Sequence, residues 1–368
     1  MPRPAQRTRI NRESKTAEAG GADRKLQMQD IARLAGVSTA TVSRALNQSS
    51  LVNEATRARI ESLARSLKYQ INVGARNLRL QCNRTVAVVV PYDAAARQHF
   101  SDPFFVSMLS GLADALTDRG YDMLLSRIDA ERLDLASDLE ASGRAMGVIL
   151  IGQWHRHDQL NALAARHVPI VVWGTRLAHQ IYCTIGSDNL AGGALATEHL
   201  IGTGRRRIAF FGDAQLPEVA QRYEGYRRAL DRHAIGLDPR LVLRAAFAEG
   251  SARSAVEALL AQKISFDAIF ASSDLLAMRT IGTLREQGFR VPEDVAVVGY
   301  DDIELAQYAQ PALTTIRQPI AAGAEALVDA LFSIIEGRSP HSEMLPTRLI
   351  VRESSAKRSS ETQTQSTQ

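Results

Sequence analysis

From Arg84 onward, the sequence alternates short β-branched runs with longer segments of helical periodicity, and this alternation constrains the fold most. The strand candidates are the strings TVAVVVP, YDMLLSRI, GVILIG, PIVVWG, RIAFFGD, AIFASS and VAVVGYDD. Continuous apolar strands separated by helices are typical of parallel sheets that helices cover on both faces. Seven or more such strands predict an α/β architecture, with either one doubly wound sheet or two smaller ones.

Length and composition exclude several classes of protein. At about 150 residues per domain, the 368 residues predict two or three domains. Hydrophobic residues make up 45% of the chain, which is too apolar to be disordered as a whole. We expect no membrane span, which needs roughly 18 uncharged apolar residues. We also expect no secretory signal, because the N-terminal arginines are not followed by an apolar run. Cys82 and Cys183 are far apart and indicate reduced thiols in the cytoplasm, although a single disulfide stays open.

The charge is distributed unevenly along the chain. Residues 1–80 contain 15 Lys and Arg against 6 Asp and Glu, whereas the rest contains 29 against 34. A basic head on a mildly acidic body indicates a nucleic-acid partner, and a basic arm without that role is the alternative. Residues 1–25 and 356–368 are polar, and we expect both to be disordered because they cannot bury enough apolar surface.

Between Leu26 and Tyr69 the pattern changes to short helices. The string MQDIARLAGVSTATVSRALN has the spacing of a helix-turn-helix, with Gly36 at the turn and Ser38 as the cap of the second helix. Asn53 can cap a third helix. The outer face of the second helix consists of Thr39, Ala40, Thr41, Ser43, Arg44 and Asn47. Short polar groups with one arginine suit a DNA major groove, but a plain three-helix bundle could share this spacing.

Five strings carry a family resemblance. They are DIARLAGVSTATVSRALN, VNEATRARIESLARSLKY, ARNL, GSDNLAGGALATEHLIGTGRRRIAFFGD and VPEDVAVVGYDDIELAQYAQPALTTIRQP. Together they resemble the LacI/GalR family of bacterial repressors over residues 26 to about 355. The resemblance implies a homodimeric repressor that binds a palindromic double-stranded DNA operator and responds to a small-molecule effector, with no cofactor and no membrane association.

The resemblance also implies a domain organisation. A helix-turn-helix headpiece spans residues 26–70 and a hinge spans 71–83. An effector-binding and dimerisation domain then covers 84–355 as two doubly wound, parallel-sheet lobes of periplasmic-binding-protein type. The expected lobes are about 84–174 plus 318–344, and about 175–316 plus 345–355.

The DNA contacts implied by the resemblance can be assigned position by position. Thr39, Ala40 and Arg44 match the base-reading positions, and the arginine fork can donate two hydrogen bonds to guanine. We expect Thr41, Ser43 and Asn47 to contact the DNA backbone and so to position the helix on it. Leu78 matches a leucine that wedges between base steps in the minor groove. The hinge departs from the family pattern at Lys68, Ile71 and Gly74, which predicts a hinge that is disordered without DNA.

A ligand is expected where the carboxyl ends of the strands face the cleft between the lobes. The residues that match effector contacts or lie near them are Asp102, Phe104, Phe105, Gln153, Trp154, Arg222, Phe247, Ser273, Asp301 and Gln318. An aromatic platform edged by Asp, Arg and Gln suits a mono- or disaccharide. Phe105 could equally belong to the core, and Trp173 could lie in the cleft or pack where the chain crosses between the lobes. Asp274 and Asp302 could be helix caps with no contact to a ligand.

Three other functions remain as alternatives. An enzyme is disfavoured because the chain has no GxxxxGK[ST], GxSxG or HExxH pattern, and His155 with His157 lacks further metal ligands. A sugar-binding protein without a regulatory role would have no use for the basic head. A regulator that takes a non-sugar metabolite as corepressor has nearly the same pattern. We expect a repressor of carbohydrate-utilisation genes that a sugar releases from the nucleoid.

Overall fold

The computed structural model describes residues 27–46, 49–67, 83–92, 102–246 and 250–355. These residues belong to two compact units, with the boundary between positions 80 and 81. No helix in these ranges is long and apolar enough to cross a membrane.

The first unit is a bundle of three helices, α1 (Met28–Ala35), α2 (Thr39–Leu46) and α3 (Glu54–Ser66). Gly36 ends α1 with a φ of 64°, a left-handed conformation that glycine adopts without steric cost. Asn53 accepts a hydrogen bond from the amide of Thr56 at 2.8 Å and so caps α3 as predicted. The small core of the unit consists of Ile31, Ala32, Ala35, Val42, Ala45, Val52, Ile60 and Ala64.

The second unit contains two six-stranded sheets, each the centre of one lobe. The strands of the first sheet are β1 (Thr85–Tyr92), β2 (Asp122–Asp129), β3 (Val148–Ile151), β4 (Ile170–Trp173), β5 (Cys183–Ser187) and β11 (Glu343–Leu345). Their order is β11-β5-β4-β3-β1-β2, and all pairs are parallel. The apolar side chains of β1, β3 and β4 are buried on both faces, which is why these strands read as continuous apolar runs.

The second sheet has the order β12-β10-β9-β8-β6-β7 and is parallel except for the pair β10 and β12. Its strands are β6 (Ile208–Phe211), β7 (Val242–Leu243), β8 (Ala268–Ala271), β9 (Ala296–Asp301), β10 (Thr314–Arg317) and β12 (Arg348–Ile350). The strands therefore form two separate sheets, and not the single large sheet that the strand count alone also allowed.

Helices cover both faces of each sheet. On the first sheet, α4 (Pro103–Asp118) and α11 (Ile320–Ile335) pack on one face, and α5 (Ala136–Ala141) and α6 (His157–Ala165) pack on the other. On the second sheet, α7 (Asn189–Gly202) and α8 (Pro217–Arg232) share one face, and α9 (Ser251–Ala261) and α10 (Asp274–Glu286) share the other. Short 3-10 helices occur at Ala130–Leu135, Pro239–Leu241 and Glu304–Gln307.

The chain passes between the lobes three times, after β5, after β10 and after β11. The first crossing lies later than the boundary at residue 174 predicted from the sequence. The segment Cys183–Ser187 pairs with β4 and belongs to the first lobe. Its string CTIGS has few large apolar side chains, so pairing with its neighbours, not its own composition, makes it a strand.

Candidate DNA-recognition helix and ligand cavity

The outer face of α2 presents most of the residues predicted to read DNA. Thr39, Ala40 and Arg44 are exposed, and Thr41 and Ser43 are half-buried. Val42 and Ala45 are fully buried on the opposite side, where they hold the helix against α1 and α3. The helix therefore has one packed face and one face of short polar groups around a single arginine, as a helix that enters a major groove requires.

Thr41 has a second role in the fold of this helix. The Ser38 hydroxyl accepts a hydrogen bond from the Thr41 amide at 3.1 Å and lies 2.9 Å from the Thr41 hydroxyl. Ser38 thus caps α2, as its sequence position predicted. Two further predicted DNA contacts, Asn47 and Leu78, lie outside the described residues.

A cavity that is partly open to solvent lies between the two lobes. The cavity is lined by Asp102, Phe104, Phe105, Ile151, Gly152, Trp154, Trp173, Leu216, Glu218, Val219, Arg222, Asp301 and Gln318. Seven of the ten residues predicted as effector contacts are in this set, although they come from separate segments of the chain.

One wall of the cavity is aromatic. Phe104 and Phe105 lie in the first turn of α4, and their rings meet edge to face with centroids 5.5 Å apart. Trp154 follows β3, and Trp173 ends β4. Phe105 is both core and cavity wall, because it is 8% exposed and also lines the cavity. Trp173 also has both roles, because it is buried in the core of the first lobe and lines the cavity.

Arg222 reaches the cavity from α8 of the second lobe and is held by three contacts. Its Nε donates to Oδ1 of Asn189 at 2.8 Å, and its Nη1 donates to the carbonyl oxygen of Ser272 at 2.5 Å. Its guanidinium carbon lies 3.8 Å from the centre of the Tyr300 ring, a cation–π geometry. The side chain is buried, and these three contacts fix its orientation.

Asp301 and Gln318 form a connected polar pair at the floor of the cavity. Nε2 of Gln318 donates to Oδ1 of Asp301 at 2.6 Å, while its Oε1 accepts from the Ser187 hydroxyl at 2.7 Å. Asp301 has a φ of 121°, which bends the chain at the carboxyl end of β9. Burial raises the pKa of Asp301 to about 7, against the opposing effect of Arg222.

Two more carboxylates face the same cavity. Asp102 caps α4 by accepting from the Phe104 amide at 3.0 Å, and burial raises the pKa of Asp102. Glu218 lies in the first turn of α8, and burial raises the pKa of Glu218 also. Sequence reasoning missed Glu218, although it lies one helical turn before Arg222 and therefore on the same face of the helix.

The structure places two predicted effector contacts away from the cavity lining. The Gln153 side chain is fully buried in the first lobe, where its Nε2 donates to the carbonyl oxygen of Thr175 at 2.7 Å. Ser273 is also buried, and its hydroxyl caps α10 by accepting from the Leu276 amide at 3.3 Å. Both side chains satisfy backbone groups of their own lobe. Phe247, the tenth predicted contact, lies outside the described residues.

The remaining polar candidates have structural roles. Asp274 accepts from the amide of Ile303 at 2.9 Å, and Asp302 forms ion pairs with Arg317 and Arg352. Neither lines the cavity described above. Within the described ranges, no group of three His, Cys, Asp or Glu side chains could hold a metal ion.

Comparisons with known proteins place these two sites in a family context. Residues 27–72 match bacterial regulatory proteins of the lacI family, and residues 197–355 match the periplasmic binding protein-like domain. The HTH-type transcriptional regulator CelR of Thermobifida fusca is 36% identical over 341 residues, which cover 90% of this chain and 98% of CelR.

Solved structures agree with this match. A transcriptional regulator CelR–cellobiose complex has a TM-score of 0.66 at 35% identity and covers 89% of this chain and 99% of its own. A lac repressor dimer bound to operator and the anti-inducer ONPF has a TM-score of 0.80 at 24% identity, with 90% and 99% covered. The second similarity shows the fold alone.

Proposed function

Because the chain belongs to the LacI family of helix-turn-helix transcriptional regulators, we propose that it is a homodimeric repressor that a small saccharide releases from its operator. The observation that carries this proposal is the cavity between the lobes, which is lined by aromatic side chains of the first lobe and by fixed polar groups of both lobes. We further propose that it acts in the cytoplasm on genes of carbohydrate utilisation.

For operator recognition, we propose that α2 is the recognition helix. Arg44 is its one exposed cation, and a guanidinium can donate two hydrogen bonds to O6 and N7 of guanine. Thr39 and Ala40 can contact a thymine methyl or a base edge beside it. A headpiece reads one half-site, so a two-fold dimer reads a palindrome. In this proposal residues 71–83 are the hinge, and Leu78 is its minor-groove wedge.

For effector recognition, the cavity offers the two kinds of contact that a sugar needs. The C–H faces of a pyranose ring pack on aromatic rings such as Trp154 and Phe104. Its hydroxyls donate to the carboxylates of Asp102, Glu218 and Asp301 and accept from Arg222. The cellobiose complex of the relative CelR supports a saccharide over other metabolites.

The coupling between the two sites follows from the position of the cavity between the lobes. A ligand that contacts both lobes binds one of their relative orientations more tightly than the other. The ligand can therefore shift operator affinity by as much as its own affinities for the two orientations differ. Coupling of this kind is typically about 1–3 kcal/mol, or 5- to 150-fold in affinity.

Fluorescence anisotropy of the full-length protein on its own upstream DNA tests the proposal. The complex is titrated at fixed salt with cellobiose, other disaccharides and monosaccharides, because phosphate contacts make operator affinity depend steeply on salt. We expect one saccharide to release the DNA at concentrations that leave a scrambled duplex unaffected. If a saccharide tightens the complex, or only nucleobases and phosphorylated metabolites act, the sugar-induction proposal is wrong and the corepressor alternative replaces it.

A further inference from the structure

The segment Gln153–His155, called the latch segment below, belongs to the first lobe but makes two hydrogen bonds to the second. The amide of Gln153 donates to Oε1 of Glu218 at 3.3 Å. Nδ1 of His155 lies 2.9 Å from the carbonyl oxygen of Gln215. Because a carbonyl oxygen only accepts, the imidazole donates from Nδ1 in this contact. The two bonds therefore connect the lobes immediately before and after Trp154.

The latch segment is held rigidly in its own lobe. Nε2 of Gln153 donates to the carbonyl oxygen of Thr175 and, at 2.9 Å, to the Tyr182 hydroxyl, while its Oε1 accepts from the Thr175 amide at 2.9 Å. Trp154 has a φ of 50°, a conformation that a bulky residue retains only where its surroundings determine it. The ring of Trp154 is thus aimed into the cavity by its two neighbours.

The partners in the second lobe are equally fixed. The Gln215 amide donates to Oδ1 of Asp213 at 3.1 Å, and its side-chain Oε1 accepts from Arg244 at 2.9 Å. Glu218 is in the first turn of α8, the helix that also carries Arg222 into the cavity. The contact therefore joins two rigid bodies, each of which contributes cavity wall next to the point of contact.

We propose that the latch segment holds the lobes closed around the effector, with His155 as a positioning residue that acts through Trp154. This inference rests on the proposed effector site and adds the element that retains the ligand there. His155 is an informative probe because its side chain is exposed and does not line the cavity. Its loss removes an inter-lobe bond without removing a ligand contact.

The chain offers a matched control two residues away. His157 bonds to the Tyr182 hydroxyl at 2.9 Å, with ring centroids 5.6 Å apart, and both residues belong to the first lobe. His157→Phe therefore removes an imidazole from the start of α6, and it leaves in place both inter-lobe bonds and the Tyr182 hydroxyl that anchors Gln153.

Amide hydrogen exchange of the full-length protein without any ligand is the first test. In His155→Ala we expect peptides that contain Gln153 and Glu218 to exchange at least about threefold faster, and in His157→Phe we expect no such change. Unchanged exchange in His155→Ala, or an equal increase in both variants, would overturn the latch.

Stopped-flow dissociation of cellobiose, followed by tryptophan fluorescence, is the second test. His155→Ala should raise the dissociation rate about three- to tenfold and leave the association rate unchanged. His155→Asn should restore most of the parent rate, because its amide can donate to the same carbonyl. Equal rates for the alanine and asparagine variants would contradict the positioning role. If cellobiose fails to bind the parent, the saccharide proposal loses its support, while the exchange experiment still decides the latch.

Discussion

The recognition helix and the effector cavity differ in how they are built. The predicted DNA-reading residues of α2 lie within one helix of eight residues, whose orientation depends on a local cap and a small core. The cavity is assembled from both lobes, and its polar groups come from segments as far apart as Asp102 and Gln318. We therefore expect that a substitution at one site leaves the function of the other intact. Substitutions at the cavity should also lower the free energy of unfolding.

The largest effect is expected from Arg222→Ala. The substitution leaves the acceptor atoms of Asn189 and Ser272 unpaired in a buried place, which should lower the free energy of unfolding by about 3 kcal/mol. We also expect the saccharide concentration needed for operator release to rise at least about 100-fold, while operator affinity at 20 °C stays near that of the parent. Thermal unfolding and operator anisotropy measure the two effects.

Two further variants sharpen this prediction. Arg227→Ala changes an exposed arginine of the same helix and should behave like the parent. Arg222→Lys keeps the charge, and its response to saccharide should be intermediate. This variant tests the residue if the alanine variant unfolds. A normal saccharide response in both Arg222 variants would remove this residue from the proposed site.

Arg44→Ala should change operator binding and leave the saccharide site intact, the reverse of Arg222→Ala. Loss of a bidentate contact to guanine should weaken operator binding by about 1–3 kcal/mol and relax the preference at one base pair of each half-site. Saccharide affinity and thermal stability should not change. Arg33→Ala, which removes an exposed arginine of α1, is the control. Binding to a panel of single-substituted operators measures the preference, and an unchanged preference at every position would refute the assignment.

The smallest effect concerns pH. Asp301 accepts saccharide hydroxyls best when ionised, and its pKa is about 7, so saccharide affinity should rise about tenfold from pH 6 to pH 8. Asp301→Asn should flatten this dependence, although Asp102 and Glu218 titrate in the same direction. Calorimetric titration across this range measures the slope. An affinity that falls with pH would mean that a protonated Asp301 donates to the ligand instead.

The raised pKa of Asp301 affects folding stability in the opposite direction to saccharide affinity. The pKa of Asp301 lies above its ordinary value of 3.8, so the unfolded chain binds fewer protons at this carboxyl between these two values. Its contribution to the free energy of unfolding therefore falls as the pH rises from about 4 to about 7, and is constant outside that window. Thermal unfolding of the parent and of Asp301→Asn over this range checks the sign.

Much of the fold could be predicted because local sequence decides it. The apolar runs around Val88, Ile149 and Val298 became central strands, and Gly36 and Ser38 mark the turn and cap of the helix-turn-helix. The strand Cys183–Ser187 and the short strands β7, β10, β11 and β12 were not predicted. They are only two to five residues long, so they depend on neighbouring strands that a local pattern does not reveal.

The cavity was predicted less completely, for a different reason. Arg222 and Asp301 could be assigned by resemblance, and both line the cavity. Gln153 and Ser273 follow strands in the same way, but their side chains turn towards backbone groups of their own lobe. Glu218 was missed because an acid in the first turn of a helix is expected from the helix dipole alone. Which groups face the cavity depends on tertiary packing.

The three crossings between the lobes have a consequence for synthesis of the chain. The first lobe is completed by β11 and the second by β12, and these strands are only two residues apart near the end of the described chain. Each sheet therefore lacks an edge strand until almost the whole described chain has left the ribosome, whereas all three headpiece helices precede residue 67. A nascent chain can thus carry a folded DNA-reading module long before it has a ligand sensor, and a stop before Glu343 removes an edge strand from both lobes at once.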